Sequence, residues 1–164
     1  MADMHIRKAT PEDADQLADL AHELNLFHQD DTRPAPELLR KHQANYEAFV
    51  AESVNGKLAG YAAGYNTFQF HTATPGFEIQ NMAVAAKFRR KGVGRGLIQR
   101  LITEKYNLGV RKFTLGVDND NVSARAFYKA MGFTERDFGS AKRCYLRDDD
   151  LDRFLEAHAP SNPT

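Results

Sequence analysis

The run Val84-Ala-Ala-Lys-Phe-Arg89-Arg90-Lys91-Gly92-Val93-Gly94-Arg95-Gly96 narrows what this chain can become, because an apolar strand pattern enters it and a helical pattern leaves it. Glycines let a backbone turn its N–H groups toward a ligand, and a helix N-terminus presents further unpaired donors. Arg89, Arg90, Lys91 and Arg95 add positive charge beside them. A strand ending near Val84 and a helix running from Leu97 would make this loop a cradle for a phosphate or pyrophosphate.

The rest of the chain is read around that loop. Its 164 residues suit one domain, here bounded at 1–158 with a flexible tail over 159–164. The 22 basic and 22 acidic residues cancel, which argues against a general nucleic-acid binder. Charge is nevertheless uneven, basic from Lys87 to Arg100 and acidic at Asp148-Asp149-Asp150. One cysteine, Cys144, permits no internal disulfide and reads as a small packing residue. No apolar run reaches a membrane span and the N-terminus has no signal-peptide pattern, so a cytoplasmic location is expected.

His5–Ala9 reads as a strand, and Thr10-Pro11-Glu12-Asp13 as a helix start. Ala14, Leu17, Ala18, Ala21, Leu24 and Phe27 recur at helical spacing and predict one core-facing stripe. A loop over His28–Pro36 precedes a shorter helix that fades near Asn45. Asn55-Gly56 between two apolar runs predicts a tight hairpin, and Pro75-Gly76 a further turn. Phe77–Val84 is the strand entering the glycine loop; strict alternation puts Phe77, Ile79 and Asn81 on one face and Glu78, Gln80 and Met82 on the other. Val93, Leu97, Ile98, Leu101 and Ile102 mark a helix ending by Gly109. Lys112–Val117 is a strand, Asp118–Asn121 a polar turn, and Val122–Met131 a helix stopped by Gly132. Phe133–Phe138 and Arg143–Leu146 read as last strands with a hairpin across Gly139-Ser140, and Leu151, Phe154 and Leu155 as a terminal helix.

Two motifs in this order carry a family resemblance. Arg89-x-x-Gly92-x-Gly94 follows the strand ending in Ala83-Val84, and Asn121-x-x-Ala124-x-x-Phe127-Tyr128-x-x-Met131-Gly132-Phe133 follows a further helix and strand. The chain resembles the GCN5-related N-acetyltransferases. The resemblance implies an α/β (α+β) fold whose mixed, mostly antiparallel twisted sheet is flanked by helices and splayed between Phe77–Val84 and Lys112–Val117 to hold acyl-CoA. It implies direct transfer of acetyl from acetyl-CoA to a primary amine of a small molecule in a ternary complex. An open groove taking lysine or N-terminal amines of proteins, and a non-catalytic acyl-CoA-binding sensor, are the alternatives. A nucleotide-binding P-loop lacks its Gly-Lys-Ser/Thr. Dimers are common in the family, so a homodimer is a further expectation.

Carried onto this sequence, the pyrophosphate falls to the backbone around Arg89, Arg90, Lys91, Gly92, Val93, Gly94, Arg95 and Gly96. The pantetheine arm falls to the backbone of Met82, Ala83 and Val84, where a β-bulge would aim an N–H at the thioester carbonyl. Asn121, Ala124, Phe127 and Tyr128 complete the cosubstrate contacts; Asn121 reads equally as a helix cap. Tyr128 is the candidate acid for the leaving thiolate, or packs on the arm. A thiol near pKa ~8.5 and a phenol near ~10 make that transfer feasible without strong driving force. The amine must lose a proton before it attacks; Glu78, or a water chain to bulk, takes it. Asp30, Asp31, His71 and Gln80 are candidate acceptor contacts. Around Pro75–Val84 the chain is similar to the spermidine/spermine acetyltransferase-like branch, but Gln80-Asn81 stands where those proteins carry an acidic pair, which suits a less charged acceptor. The six histidines show no metal-ligand spacing, and no metal is expected.

Overall fold

The computed structural model describes residues 4–136, which fall into two compact units divided between Arg125 and Ala126. The first contains strands β1 (Met4–Lys8), β2 (Glu47–Ser53), β3 (Leu58–Gln69), β4 (Thr74–Val84) and β5 (Lys112–Leu115) with helices α1 (Ala14–Phe27), α2 (Pro36–Lys41) and α3 (Val93–Asn107). Helix α4 (Val122–Ala130) begins in the first unit and ends in the second. The expected strand Arg143–Leu146, the hairpin before it, the terminal helix, Cys144 and the tail lie outside the described residues.

The five strands form one sheet in sequence order, β1-β2-β3-β4-β5. Every pair is antiparallel except β4 with β5, which is parallel. Helices cover both faces. Leu17 and Leu20 of α1 cluster with Val50, Leu58, Tyr61 and Ala83 on one face. On the other face Phe49, Phe77, Leu97, Ile98 and Leu101 are fully buried. Gly96 of α3 meets the same face closely: a Cβ there would stand 2.6 Å from Ile6 Cδ1. Lys105 is buried at 3 % exposure, its ammonium 2.5 Å from Glu47 Oε1 and 5.0 Å from the Phe77 ring centre. Burial pushes the Glu47 carboxyl up, but the Lys105 hydrogen bond and charge more than offset this and hold it low.

Five expectations are corrected. Pro75-Gly76 lies inside β4, opposite Phe68 and Thr67, and the turn falls earlier, at Phe70–Thr72 with Ala73 at φ 50°. Proline is tolerated because the Pro75 carbonyl points away from β3, accepting Arg111 N–H at 3.0 Å; the missing N–H lies on that same side. Gly76 is required by crowding, since a Cβ would stand 2.4 Å from Thr67 Oγ1.

Strict alternation along β4 also fails. Ala63 pairs with Asn81 but the next residue, Gly64, pairs with Ile79, so Gln80 is an extra residue in a bulge. The bulge sits at Gln80 rather than at Met82–Val84, and beyond it the faces exchange. Ala83 therefore joins the α1-side cluster, and Asn81 takes the face of Glu78, where its Oδ1 accepts the Tyr61 hydroxyl. Phe27 is 64 % exposed rather than core; it ends α1, and Leu20 supplies the stripe instead. No strand begins at Phe133, which closes the end of α4.

Candidate active site

The parallel pairing of β4 and β5 is short. It runs from Gly76 opposite Lys112 to Ile79 opposite Leu115, and there β5 ends. β4 continues to Val84, still paired to β3 on its other side. The main-chain phase of that stretch follows from one bond. Ala85 N–H donates to Ala59 O at 2.9 Å, so Ala83 and Asn81 also turn their N–H and C=O toward β3. Met82 and Val84 then direct theirs to the open edge. The Val84 carbonyl confirms this phase by accepting Arg89 Nε at 2.9 Å. Among the described residues no strand pairs with this edge, so the sheet forks just beyond Glu78.

At the end of the open edge the chain makes a helical turn, Ala86–Phe88, and passes through left-handed backbone at Arg90 (φ 59°) and Gly92 (φ 81°) before α3 begins. Gly92 is the N-cap and no side chain caps the helix. The first-turn amides of Val93, Gly94 and Arg95 are thus left for a ligand or solvent. Gly96 N–H is already used, donating to Gly92 O at 3.0 Å. The cations divide by role. Arg89 ties the loop to its own strand, and it also faces Glu23 of α1 at 3.4 Å. Arg90, Lys91 and Arg95 form no salt bridge among the described residues. Glu23 braces the loop by accepting Ala86 N–H at 3.0 Å; nothing in the local sequence pointed to it.

Glu78 sits one residue before the fork, half-buried, directly opposite Tyr65 on β3 and Thr114 on β5. The Thr114 hydroxyl donates to its Oε2. Neither the sequence reading nor any motif had singled out Thr114.

Helix α4 is built by its two ends. Asn121 Oδ1 accepts Ala124 N–H at 3.1 Å, a side-chain N-cap. At the far end Gly132 is left-handed (φ 95°); its N–H donates to Lys129 O and Phe133 N–H to Tyr128 O, each at 3.0 Å. That double closure is a Schellman motif, and the Phe133 ring lies 5.6 Å from the Tyr128 ring as its apolar clasp. Phe127 meets Tyr128 edge-on at 5.2 Å. Burial pushes the Tyr128 phenol above the ordinary tyrosine value, so it stays protonated through the neutral range.

The remaining candidates are dispersed. Asp30 accepts Thr32 N–H at 2.9 Å, and the Thr32 hydroxyl and amide hold its carboxyl low. Asp31 pairs with His22 at 2.8 Å and is 89 % exposed. His71 is exposed in the turn before β4, and Gln80 is the exposed bulge residue. The Asn81 Oδ1 is taken by the Tyr61 hydroxyl. Among the described residues no group of three or more His, Cys, Asp or Glu side chains could hold a metal, and no helix is long and apolar enough to cross a membrane.

Known proteins resolve what this frame is. A profile of the Acetyltransferase (GNAT) family matches residues 14–133. The chain belongs to the GNAT family. It is an acetyltransferase, and the family uses acetyl-CoA as cosubstrate. It is 28 % identical to the uncharacterized N-acetyltransferase YhfO of Bacillus subtilis over 86 % of this chain and 96 % of that one. It is 33 % identical over 124 residues to the uncharacterized protein ML0378 of Mycobacterium leprae, of whose length it spans a third (33 %). It is 35 % identical over 81 residues to the ribosomal protein bS18-alanine N-acetyltransferase of Escherichia coli, spanning about half of each (49 % and 51 %). Among solved structures, an aminoglycoside acetyltransferase from an uncultured soil metagenomic sample, in complex with sisomicin, superposes with TM-score 0.74 at 22 % identity, covering 89 % of this chain and 97 % of that one. The GNAT fold is therefore shared: a mixed five-stranded sheet flanked by helices.

Proposed function

We propose that this GNAT domain moves the acetyl group of acetyl-CoA directly to a primary amine of a small molecule. The observation that carries the reading is the fork, with Glu78 one residue before β4 and β5 part. The residues present suit a long, extended thioester bearing a pyrophosphate. Outward main-chain groups of Met82 and Val84 can hold the arm as an added strand. The uncapped start of α3, with Arg90, Lys91 and Arg95, suits the pyrophosphate.

The chemistry then needs the amine deprotonated and the thiolate protonated. The ammonium gives one proton to the Glu78 carboxylate before it attacks the acyl carbon, and the nitrogen loses its second proton to water as the amide forms. As the C–S bond breaks, the sulfur takes the Tyr128 phenolic proton, and both side chains are reset by water. Positioning supplies most of the rate, with each proton transfer adding about 10²–10⁴-fold. The Gln80-Asn81 pair leaves the acceptor side without the added carboxylates a polycation would need. The relative named for an aminoglycoside and the one named for a ribosomal alanine bracket the two acceptor sizes to compare.

An acetyl-CoA consumption screen over amino acids, polyamines, aminoglycosides and peptides tests the reading. A small amine should be turned over by the parent. Glu78→Gln and Tyr128→Phe should each lower kcat about 10²-fold while the KM for acetyl-CoA stays within about twofold. Turnover confined to peptide amines would transfer the reading to protein acetylation. Acetyl-CoA binding without turnover of any amine would leave a sensor domain.

A further inference from the structure

Parallel pairing brings Thr114 to the residue directly opposite Glu78 across 36 positions of sequence. Both side chains are half-buried. The Thr114 hydroxyl donates to Glu78 Oε2, and Oε1 has no partner among the described residues. Glu78 forms no salt bridge there either. The other groups on its face are Tyr65 and Tyr61 from β3, Asn81 beyond the bulge with its Oδ1 taken by the Tyr61 hydroxyl, Lys112 two residues before Thr114 on β5, and the apolar stripe of α1. A strand position asks only for a β-branched shape, which valine would satisfy equally. The hydroxyl is an addition to that requirement, and it is spent on this one carboxylate.

A glutamate has three side-chain torsions, and a carboxylate that sweeps freely loses the near-attack geometry on which proton removal depends. Anchoring one oxygen fixes the plane of the carboxyl group and leaves the other oxygen aimed. We propose that Thr114 is a positioning residue for this acetyltransferase, holding Oε2 of Glu78 so that Oε1 faces the incoming amine at the fork. This rests on Glu78 acting as the base.

The experiment compares Thr114→Val, Thr114→Ser and Thr114→Ala, alone and combined with Glu78→Gln. The acceptor is whichever of sisomicin, spermidine or an alanine-ended peptide the parent turns over fastest. A parallel series uses protein labelled with 13C at glutamate carboxyls, the Glu78 resonance being identified by its loss in Glu78→Gln. Thr114→Val should displace that resonance and lower kcat about tenfold with the KM for acetyl-CoA within about twofold. Thr114→Ser should restore both, and on the Glu78→Gln background Thr114→Val should have no further effect. Thr114→Ala repeats the comparison should valine perturb folding. A resonance unmoved by both Val and Ala, or a kcat loss that persists undiminished on the Glu78→Gln background, overturns the positioning role while leaving the base intact. Full activity of Glu78→Gln overturns the base, and the positioning role with it.

Discussion

Tyr61 and Tyr128 are both raised above the ordinary tyrosine value by burial, and Tyr61 also has a side-chain partner. The Tyr61 hydroxyl donates to Asn81 Oδ1 and locks the strand after the bulge. Its energetic signature is a pH dependence with a definite sign. Above pH ~10 the unfolded chain releases the phenolic proton while the folded chain retains it, so the unfolded state binds fewer protons and stability falls. The contribution is intact below pH ~10 and declines by about 1.4 kcal/mol per pH unit above it, until the raised folded value is reached. Urea unfolding between pH 8 and 11 should show the decline, and Tyr61→Phe should make it shallower; equal slopes in both proteins would refute the assignment. The helix cap at Asn121 was legible in advance, because Asn121 stands at the turn before a helical stripe. Thr114 and Asn81 were not, because each owes its partner to strand register, which no local window contains. Asn81 was even placed on the wrong face, since one extra residue at Gln80 inverts everything after it.

That extra residue is made possible by an element-scale accommodation. Gly64 lies across from the bulge, and a Cβ on it would stand 1.9 Å from the Glu78 carbonyl oxygen and 2.7 Å from the Phe77 ring. The obstacle is backbone, which cannot swing aside as a side-chain tip can. Gly64→Ala should cost about 3 kcal/mol or more in chemical denaturation and abolish turnover, because β4 must leave β3 or lose its bulge. Gly96→Ala provides the contrast, as its obstacle is only the terminal methyl of Ile6. A Gly64→Ala protein as stable as the parent would mean that the close approach of β3 and β4 is not a constraint. Helix existence and most strand cores were readable from periodicity, and the Asn55-Gly56 hairpin from its dipeptide. Pro75-Gly76 misled because the same dipeptide that marks a turn also suits a strand whose proline nitrogen, lacking a hydrogen, faces away from β3 and whose glycine admits a close side chain.

At the scale of the molecule, the sheet is closed by pairing over most of its extent and left open along Gln80–Val84. A ligand that completes this edge should stabilise the fold as a partner strand does. Acetyl-CoA at a hundred times its Kd should add about 2.7 kcal/mol, raising the Tm by roughly 5–10 °C; an unchanged melting curve at saturating concentration would argue against binding at the fork. The general plan was legible because a glycine-rich loop between strand and helix admits few surroundings, whereas the fork's depth was not, since it depends on β5 stopping at Leu115. That fork has a consequence for divergence. Peptide groups cannot be substituted, so if, as proposed, this edge reads its ligand through the main chain of Met82 and Val84, it would tolerate free drift of the side chains around it. Selection for a new acceptor can then work on Glu78's neighbours and the exposed loops without jeopardising the donor. One scaffold can thereby serve relatives named for as different acceptors as an aminoglycoside and a ribosomal alanine.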